Sequence, residues 1–146
     1  MSKNKRKTLP AESLQSLLTE ASRRATADLE RVLGKEGLPV ECWRVLEVLA
    51  DEGGRSMSAL ADAVSMKLPS LSKLIDRMVA QALVQRAPDP QDQRRVLVYI
   101  SDLGLAKFAG LKISVQRQRS SLESSLGTQA GRELKRLLQA FIREHP

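Results

Sequence analysis

Residues 89 to 104 constrain the fold of this chain more than any other segment. They begin with the polar, Pro-containing run DPQDQRR, continue with the alternating run VLVYI and end with SDLG. Pro interrupts regular structure and alternating apolar residues are typical of a strand, so the segment predicts a β-hairpin with Arg94 and Arg95 at its tip. A hairpin that holds arginines outward is suited to be a wing that contacts DNA.

A helix-turn-helix is expected immediately before this hairpin, in residues 56 to 83. Ser56 can cap a short helix whose apolar residues recur at helical spacing, and a polar break follows it. Pro69 suits the first turn of a second helix, which has an apolar stripe on one face and small polar or basic side chains on the other. Such a helix can enter the DNA major groove. The predicted DNA-binding residues of this segment are Lys67, Pro69, Ser70, Ser72, Lys73 and Arg77.

Several short motifs between residues 56 and 104 resemble those of the MarR (multiple antibiotic resistance regulator) family. The wing motif matches at Asp92, Arg94, Ile100, Ser101 and Gly104, and the helix-turn-helix matches at Leu60-Ala61, at SLSKLIDRM from residue 70 and at ALV from residue 82. Many members have Gly where this chain has Ala82, which is a small departure. The resemblance in architecture extends over roughly residues 11 to 146.

The resemblance implies a mainly α-helical fold with a small β-hairpin wing. It also implies that Arg94 reaches the DNA minor groove, with Asp92 orienting it. Arg94 and Arg95 are the predicted DNA-binding residues of the wing. The expected divisions are a basic flexible tail at residues 1–10, helical dimerisation segments at residues 11–36 and 102–146, and a winged helix-turn-helix DNA-binding region at residues 37–101.

The flanking segments are themselves predicted to be long helices. One runs from Leu14 to Leu33, one is capped by Ser101 and runs from Asp102 to about Ser125, and a last one starts at Thr128. Their apolar surface exceeds what a small winged helix can cover. A symmetric homodimer is the simplest arrangement that buries it, because one self-complementary patch serves both copies. In the resembled family two such copies bind the half-sites of a pseudo-palindrome.

The net charge of +7, from 24 Lys and Arg against 17 Asp and Glu, favours a polyanionic partner. This charge is unevenly distributed. Residues 1–10 contain four basic residues and no acid, whereas residues 37–62 contain two basic residues and five acids. Double-stranded DNA is therefore the predicted partner, and binding should weaken steeply with salt because neutralised phosphates release counterions.

Catalysis is not expected from this sequence. The single histidine, His145, is next to the last residue and the single cysteine is Cys42, so a Cys/His catalytic pair or a multi-ligand zinc site has no residues to form it. We expect no enzymatic activity, no cofactor and no bound metal. With no run of about 20 apolar residues and no apolar signal-peptide core, a cytoplasmic protein without membrane contact is expected.

The sequence leaves two kinds of control open. Members of the resembled family commonly bind aromatic or phenolic acids between the dimer helices and the winged helix, and here Arg23, Trp43 and Arg44 are the candidate ligand-binding residues. Trp43 also has the spacing of a core residue. Other members sense peroxides through a cysteine near the start of the first long helix, whereas Cys42 opens the second helix, which favours a structural cysteine.

The sequence thus predicts a homodimeric winged-helix transcriptional regulator, a repressor that a small aromatic or acidic effector releases from its operator. One alternative is a sequence-nonspecific architectural DNA-binding protein of the nucleoid, for which the basic tail would also serve. Further alternatives are a redox-sensing regulator that uses Cys42 and a winged helix that has been adapted for protein contacts.

Overall fold

The computed structural model describes residues 12–146, which form six helices and one two-stranded antiparallel sheet. The predicted basic tail at residues 1–10 lies outside the described residues. In chain order the elements are α1 (Leu14–Gly34), α2 (Val40–Leu49), α3 (Met57–Val64), α4 (Leu68–Ala80), β1 (Val84–Asp89), β2 (Asp92–Ile100), α5 (Asp102–Ser124) and α6 (Thr128–Glu144). The predicted fold class, mainly helical with a small hairpin, is confirmed. Within residues 12–146, each helix is too short or too polar to cross a membrane.

Serine side chains begin three of the helices. The hydroxyl oxygens of Ser13, Ser56 and Ser101 each accept a hydrogen bond from the backbone N–H three residues later, at 3.1, 3.2 and 2.9 Å. Each bond satisfies one of the donors that a helix N-terminus leaves without a partner. The predicted caps at Ser56 and Ser101 are therefore present. They fix the starts of α3 and α5. The winged helix formed by α2, α3, α4 and the hairpin is called the head below.

The core lies where α2, α3, α4, the hairpin and the first half of α5 meet. In the described part of the chain its buried side chains are all hydrophobic, and Trp43 is the largest of them, with 1% of its surface exposed. The Trp43 ring stacks on the ring of Phe108, with centroids 4.9 Å apart. This stack joins α2 of the winged helix to α5, so the head and the long helix share one core.

The hairpin differs from the prediction in where its turn lies. The sequence placed Arg94 and Arg95 in the turn, but the turn is at Pro90-Gln91 and both arginines belong to β2. The outer half of β2 has no buried face, so it lacks the alternation that indicates a strand, and its backbone pairs nonetheless. Backbone hydrogen bonds of 3.0 and 2.8 Å between Arg55 and Val98 attach the inner half of β2 to the segment between α2 and α3.

The long helices leave large apolar side chains uncovered in the single chain. They are Leu14 and Leu17 on α1, Leu103, Ile113 and Leu122 on α5, Leu126 in the connection, and Leu134, Leu137, Phe141 and Ile142 on α6. Exposed apolar side chains in such number are typical of surfaces that contact another protein. The pattern agrees with the predicted dimerisation segments, whose division from the head stays a prediction.

Candidate nucleic-acid interface

The helix α4 has one buried face and one exposed face. Leu71, Leu74, Ile75 and Met78 are all at most 1% exposed and pack into the core. The opposite face is therefore fixed in direction by the packing of the apolar stripe. The six residues of the helix-turn-helix that are predicted to bind DNA lie at exposed positions on or just before this helix: Lys67, Pro69, Ser70, Ser72, Lys73 and Arg77.

The tight turn before α4 sets the angle between the two helices of the motif. Ser65, the residue that follows the last residue of α3, adopts the left-handed conformation with φ 54°. The N–H of Met66 donates to the carbonyl of Ala61 at 3.0 Å, which closes the helix end. Lys67 is the N-cap residue of α4 and makes no side-chain hydrogen bond to the helix backbone, and Pro69 in the first turn has no N–H to satisfy. The positive end of the helix dipole at this terminus favours an anion.

The wing carries the most exposed basic side chain among the ion pairs of the described residues. The Arg94 side chain is 94% exposed, and its Nε lies 3.5 Å from Oδ1 of Asp92. The same oxygen accepts a hydrogen bond from the backbone N–H of Arg94 at 3.1 Å. Asp92 therefore orients the strand at Arg94 and leaves the guanidinium in solvent. Arg95 is also exposed, but successive strand residues point to opposite faces, so it lies on the other side of the hairpin.

An ion pair that could not be predicted from the sequence links α4 to the wing. Nη2 of Arg86 on β1 lies 2.7 Å from Oδ1 of Asp76 on α4. Ten residues separate the two in the chain, and only the turn between α4 and β1 brings them together. The pair adds one contact between the wing and α4, and its contribution is small because both side chains are exposed to solvent.

A crowded corner joins α4, the hairpin and α5. The N–H groups of Ala82 and Leu83 donate to the carbonyls of Val79 and Met78, both at 2.9 Å, which is the pattern of a Schellman cap. Ser101 donates to the carbonyl of Ala82 through its hydroxyl at 2.5 Å and to that of Leu83 through its N–H at 3.0 Å. These four bonds set where the wing starts.

Gly104 makes this corner possible. A Cβ atom added at Gly104 would lie 2.2 Å from the carbonyl oxygen of Leu83, so only glycine lets α5 approach the backbone of the corner so closely. The sequence motif that ends in Gly104 is therefore explained by backbone packing rather than by a contact with DNA.

The three candidate ligand-binding residues lie in different environments. Trp43 is buried in the core, and its indole N–H has no hydrogen-bond partner in the protein. Arg44, the next residue on α2, is exposed. Arg23 on α1 is exposed and forms two hydrogen bonds with the carboxylate of Glu20, at 2.6 and 3.1 Å. Their role in ligand binding stays a prediction, and Trp43 is a core residue whatever else it contacts.

Cys42 is buried, with 4% of its surface exposed. Burial raises the pKa of its thiol, and the nearby charge of Glu41 acts in the same direction, while Arg77 opposes both. A raised pKa keeps the thiol protonated at neutral pH, whereas the thiolate is the reactive form. For metal binding, no group of three or more His, Cys, Asp or Glu side chains within residues 12–146 is placed to hold an ion.

Comparison with known proteins relates this arrangement to repressors. The model of the MarR family matches residues 36–95, which span α2, the helix-turn-helix and most of the hairpin. The repressor NicR of Pseudomonas putida is 31% identical over 111 residues, which cover 76% of this chain and 70% of NicR. The repressor IacR of Pseudomonas putida is 39% identical over 82 residues, or 56% of this chain, and this match spans only 49% of the length of IacR.

Two solved structures share the whole fold. A MarR family transcriptional regulator from Silicibacter pomeroyi superposes with a TM-score of 0.83 at 28% identity, covering 95% of this chain and 99% of the other. BpsR of Bordetella bronchiseptica, whose DNA binding is regulated by 6-hydroxynicotinic acid, superposes with a TM-score of 0.80 at 24% identity, covering 93% and 96%. With these matches in sequence and in fold, the chain belongs to the MarR family of transcriptional regulators.

Proposed function

We propose that this protein is a homodimeric repressor that binds a pseudo-palindromic DNA operator. The observation that carries the proposal is the pairing of two exposed surfaces on one rigid corner: the polar face of α4 and the guanidinium of Arg94. A helix of this kind reads the major groove through its first turn, and an arginine on the hairpin then lies over the adjacent minor groove or backbone. The Ser101 bonds fix the distance between the two surfaces, and the Asp76–Arg86 pair adds one contact between the wing and α4.

The second copy comes from the uncovered apolar side chains of α1, α5 and α6. A second identical chain covers all of these with one self-complementary interface, and it places two α4 helices on the same face of a duplex. Half-sites about one helical turn apart, ~10 base pairs, follow from that placement. Both the dimer and the operator symmetry are parts of this proposal.

The effector proposed for release is a small aromatic acid. The support is chemical and comparative: Arg23 and Arg44 are exposed cations in the middle of α1 and α2, and the DNA binding of the fold neighbour BpsR is regulated by 6-hydroxynicotinic acid. A ligand of this kind acts only if it binds the released and the DNA-bound arrangements with different affinity. A thermal-shift screen of benzoates, hydroxybenzoates and hydroxynicotinates tests it, since a true ligand stabilises the folded protein by mass action.

DNA binding is tested by fluorescence anisotropy with duplex fragments from regulatory regions. We expect a few fragments to bind far more tightly than the rest, and Arg94→Ala to weaken binding to those fragments tenfold or more, which is about 1.4 kcal/mol or more. The slope of log affinity against log salt should fall by about 2 per dimer, because each copy loses one cation at the phosphates.

Arg24→Ala is the matched control, since Arg24 is also an exposed arginine, 75% exposed, but belongs to α1 and pairs with Glu20 at 2.8 Å. Its removal should leave the affinity within twofold. Equal affinity for every fragment would contradict the repressor and favour the architectural protein. An absence of DNA binding near 0.1 M salt would favour a winged helix used for protein contacts.

A further inference from the structure

Leu68 is an exposed apolar residue at the tip of the helix proposed to enter the major groove. It is the first residue of α4 and remains 48% exposed, between Lys67 and Pro69. The buried stripe of α4 does not include it. Most other large exposed apolar side chains belong to α1, α5 and α6, where a second copy would cover them, so Leu68 needs another explanation.

The position of Leu68 places it at a base edge in the proposed complex. The first turn of a recognition helix is the part that contacts bases. Residues three and four apart are neighbours on a helix surface, so Leu68 lies at the border between the buried Leu71 and the exposed Ser72 of the predicted DNA-binding face. On either side, Lys67 and Ser70 have side chains suited to phosphate oxygens, whereas the side chain of Leu68 has nothing to offer a phosphate.

The major groove contains only one apolar group that a leucine can pack against. Guanine, cytosine and adenine present hydrogen-bond donors and acceptors there, and thymine alone presents a methyl group, on C5. A leucine over a donor or acceptor would remove water from that polar group without replacing the lost hydrogen bond, which is unfavourable. Against a thymine, the same leucine buries a methyl group.

We propose that Leu68 contacts the 5-methyl group of a thymine in each half-site and so selects thymine at that position. This inference rests on the proposed DNA binding, and it concerns which base is read rather than whether DNA is bound. One buried methyl group is worth about 0.8 kcal/mol, which corresponds to about fourfold in affinity. Substitution in both half-sites of a dimer's operator then multiplies to about fifteenfold.

The experiment replaces thymine by deoxyuridine, which lacks only the 5-methyl group. The operator is first selected from a random duplex library with the full-length protein. Each thymine is then replaced in turn, in both half-sites together, and affinity is measured by anisotropy with wild type, Leu68→Ala and Val79→Ala. Val79 is the matched control because it is also an exposed apolar residue of α4, 38% exposed, at the opposite end of the helix.

We expect one thymine position at which deoxyuridine weakens wild-type binding about fifteenfold. With Leu68→Ala the same replacement should change affinity by less than twofold, and with Val79→Ala the full effect should remain. Insensitivity of the wild type to every replacement would overturn the inference while leaving DNA binding intact, as would an undiminished effect in Leu68→Ala. A failure to select any DNA sequence would instead overturn the proposed function. Since the deoxyuridine measurement uses the unaltered protein, it does not depend on how the variants fold.

Discussion

Replacement of Ala82 by glycine should stabilise this protein. Ala82 follows the end of α4 and has a φ of 60°, in the left-handed region. It occupies the position of a Schellman cap that is most often glycine, because the Cβ of other residues approaches the neighbouring carbonyl oxygen there. The cap bonds and the bonds from Ser101 hold Ala82 in this conformation. The strain is therefore built into the corner from which the wing extends.

The size of the effect follows from two opposing terms. A left-handed conformation costs an L-residue about 1–2 kcal/mol, and Ala82→Gly removes this cost. Glycine in turn loses more conformational freedom on folding, about 0.5–1 kcal/mol relative to alanine. The net gain in the free energy of unfolding therefore lies between about 0 and 1.5 kcal/mol, with a midpoint of about 0.75 kcal/mol. For a chain of this length, the melting temperature should rise by about 1–4 °C.

Urea unfolding followed by circular dichroism is the appropriate assay, at one fixed protein concentration because a dimer gains apparent stability from association. The midpoint should move to higher urea with an unchanged slope. Ala80→Gly is the matched control: Ala80 is an exposed residue of the same helix, so glycine there should lower stability by up to about 1 kcal/mol. Equal destabilisation by both variants would show that Ala82 carries no backbone strain and would refute the reasoning.

Two other side chains give independent predictions. Glu47→Gln removes the negative charge and one of the two acceptor oxygens of the bidentate pair between α2 and α5, in which Arg119 donates bonds of 2.7 and 2.8 Å. The variant should reduce the free energy of unfolding by up to about 1 kcal/mol, because solvent screens a pair whose side chains are 35% and 45% exposed. The loss should shrink in 1 M salt, and a loss that does not depend on salt would contradict an ionic contribution. Because burial raises the pKa of Cys42, its thiol should react with DTNB at neutral pH far more slowly in the folded protein than in urea. Equal rates in the two states would instead support the redox alternative.

The helices of this protein were predictable because their ends are marked by local chemistry. Ser56 and Ser101 cap the helices that they were expected to cap, and the predicted start at Thr128 is where α6 begins. The start of β2 was not predictable in the same way. Its outer residues are polar on both faces, and strand pairing there depends on the partner β1 rather than on any pattern in β2 itself.

Contacts between distant parts of the chain left no signal in the sequence. Glu47 and Arg119 are 72 positions apart and meet only because α2 packs on α5. Periodicity identifies which face of each helix is buried, but it does not say which helix covers that face. Trp43 illustrates the limit: its spacing allowed a core residue or a ligand wall. The structure places it in the core, stacked on Phe108, and a contact with a ligand stays a prediction.

Packing explains the residues on the buried side of α4 but not those on its exposed side, and Leu68 is an example. On the buried side of α4, packing alone accounts for each residue, since a polar group there would lose its hydrogen bonds to water. On the exposed side, Leu68 presents 48% of its surface to solvent, and that part of a leucine side chain gains nothing from water in the free protein. In the proposed complex, the leucine at the first residue of α4 is explained by the thymine methyl group that it contacts.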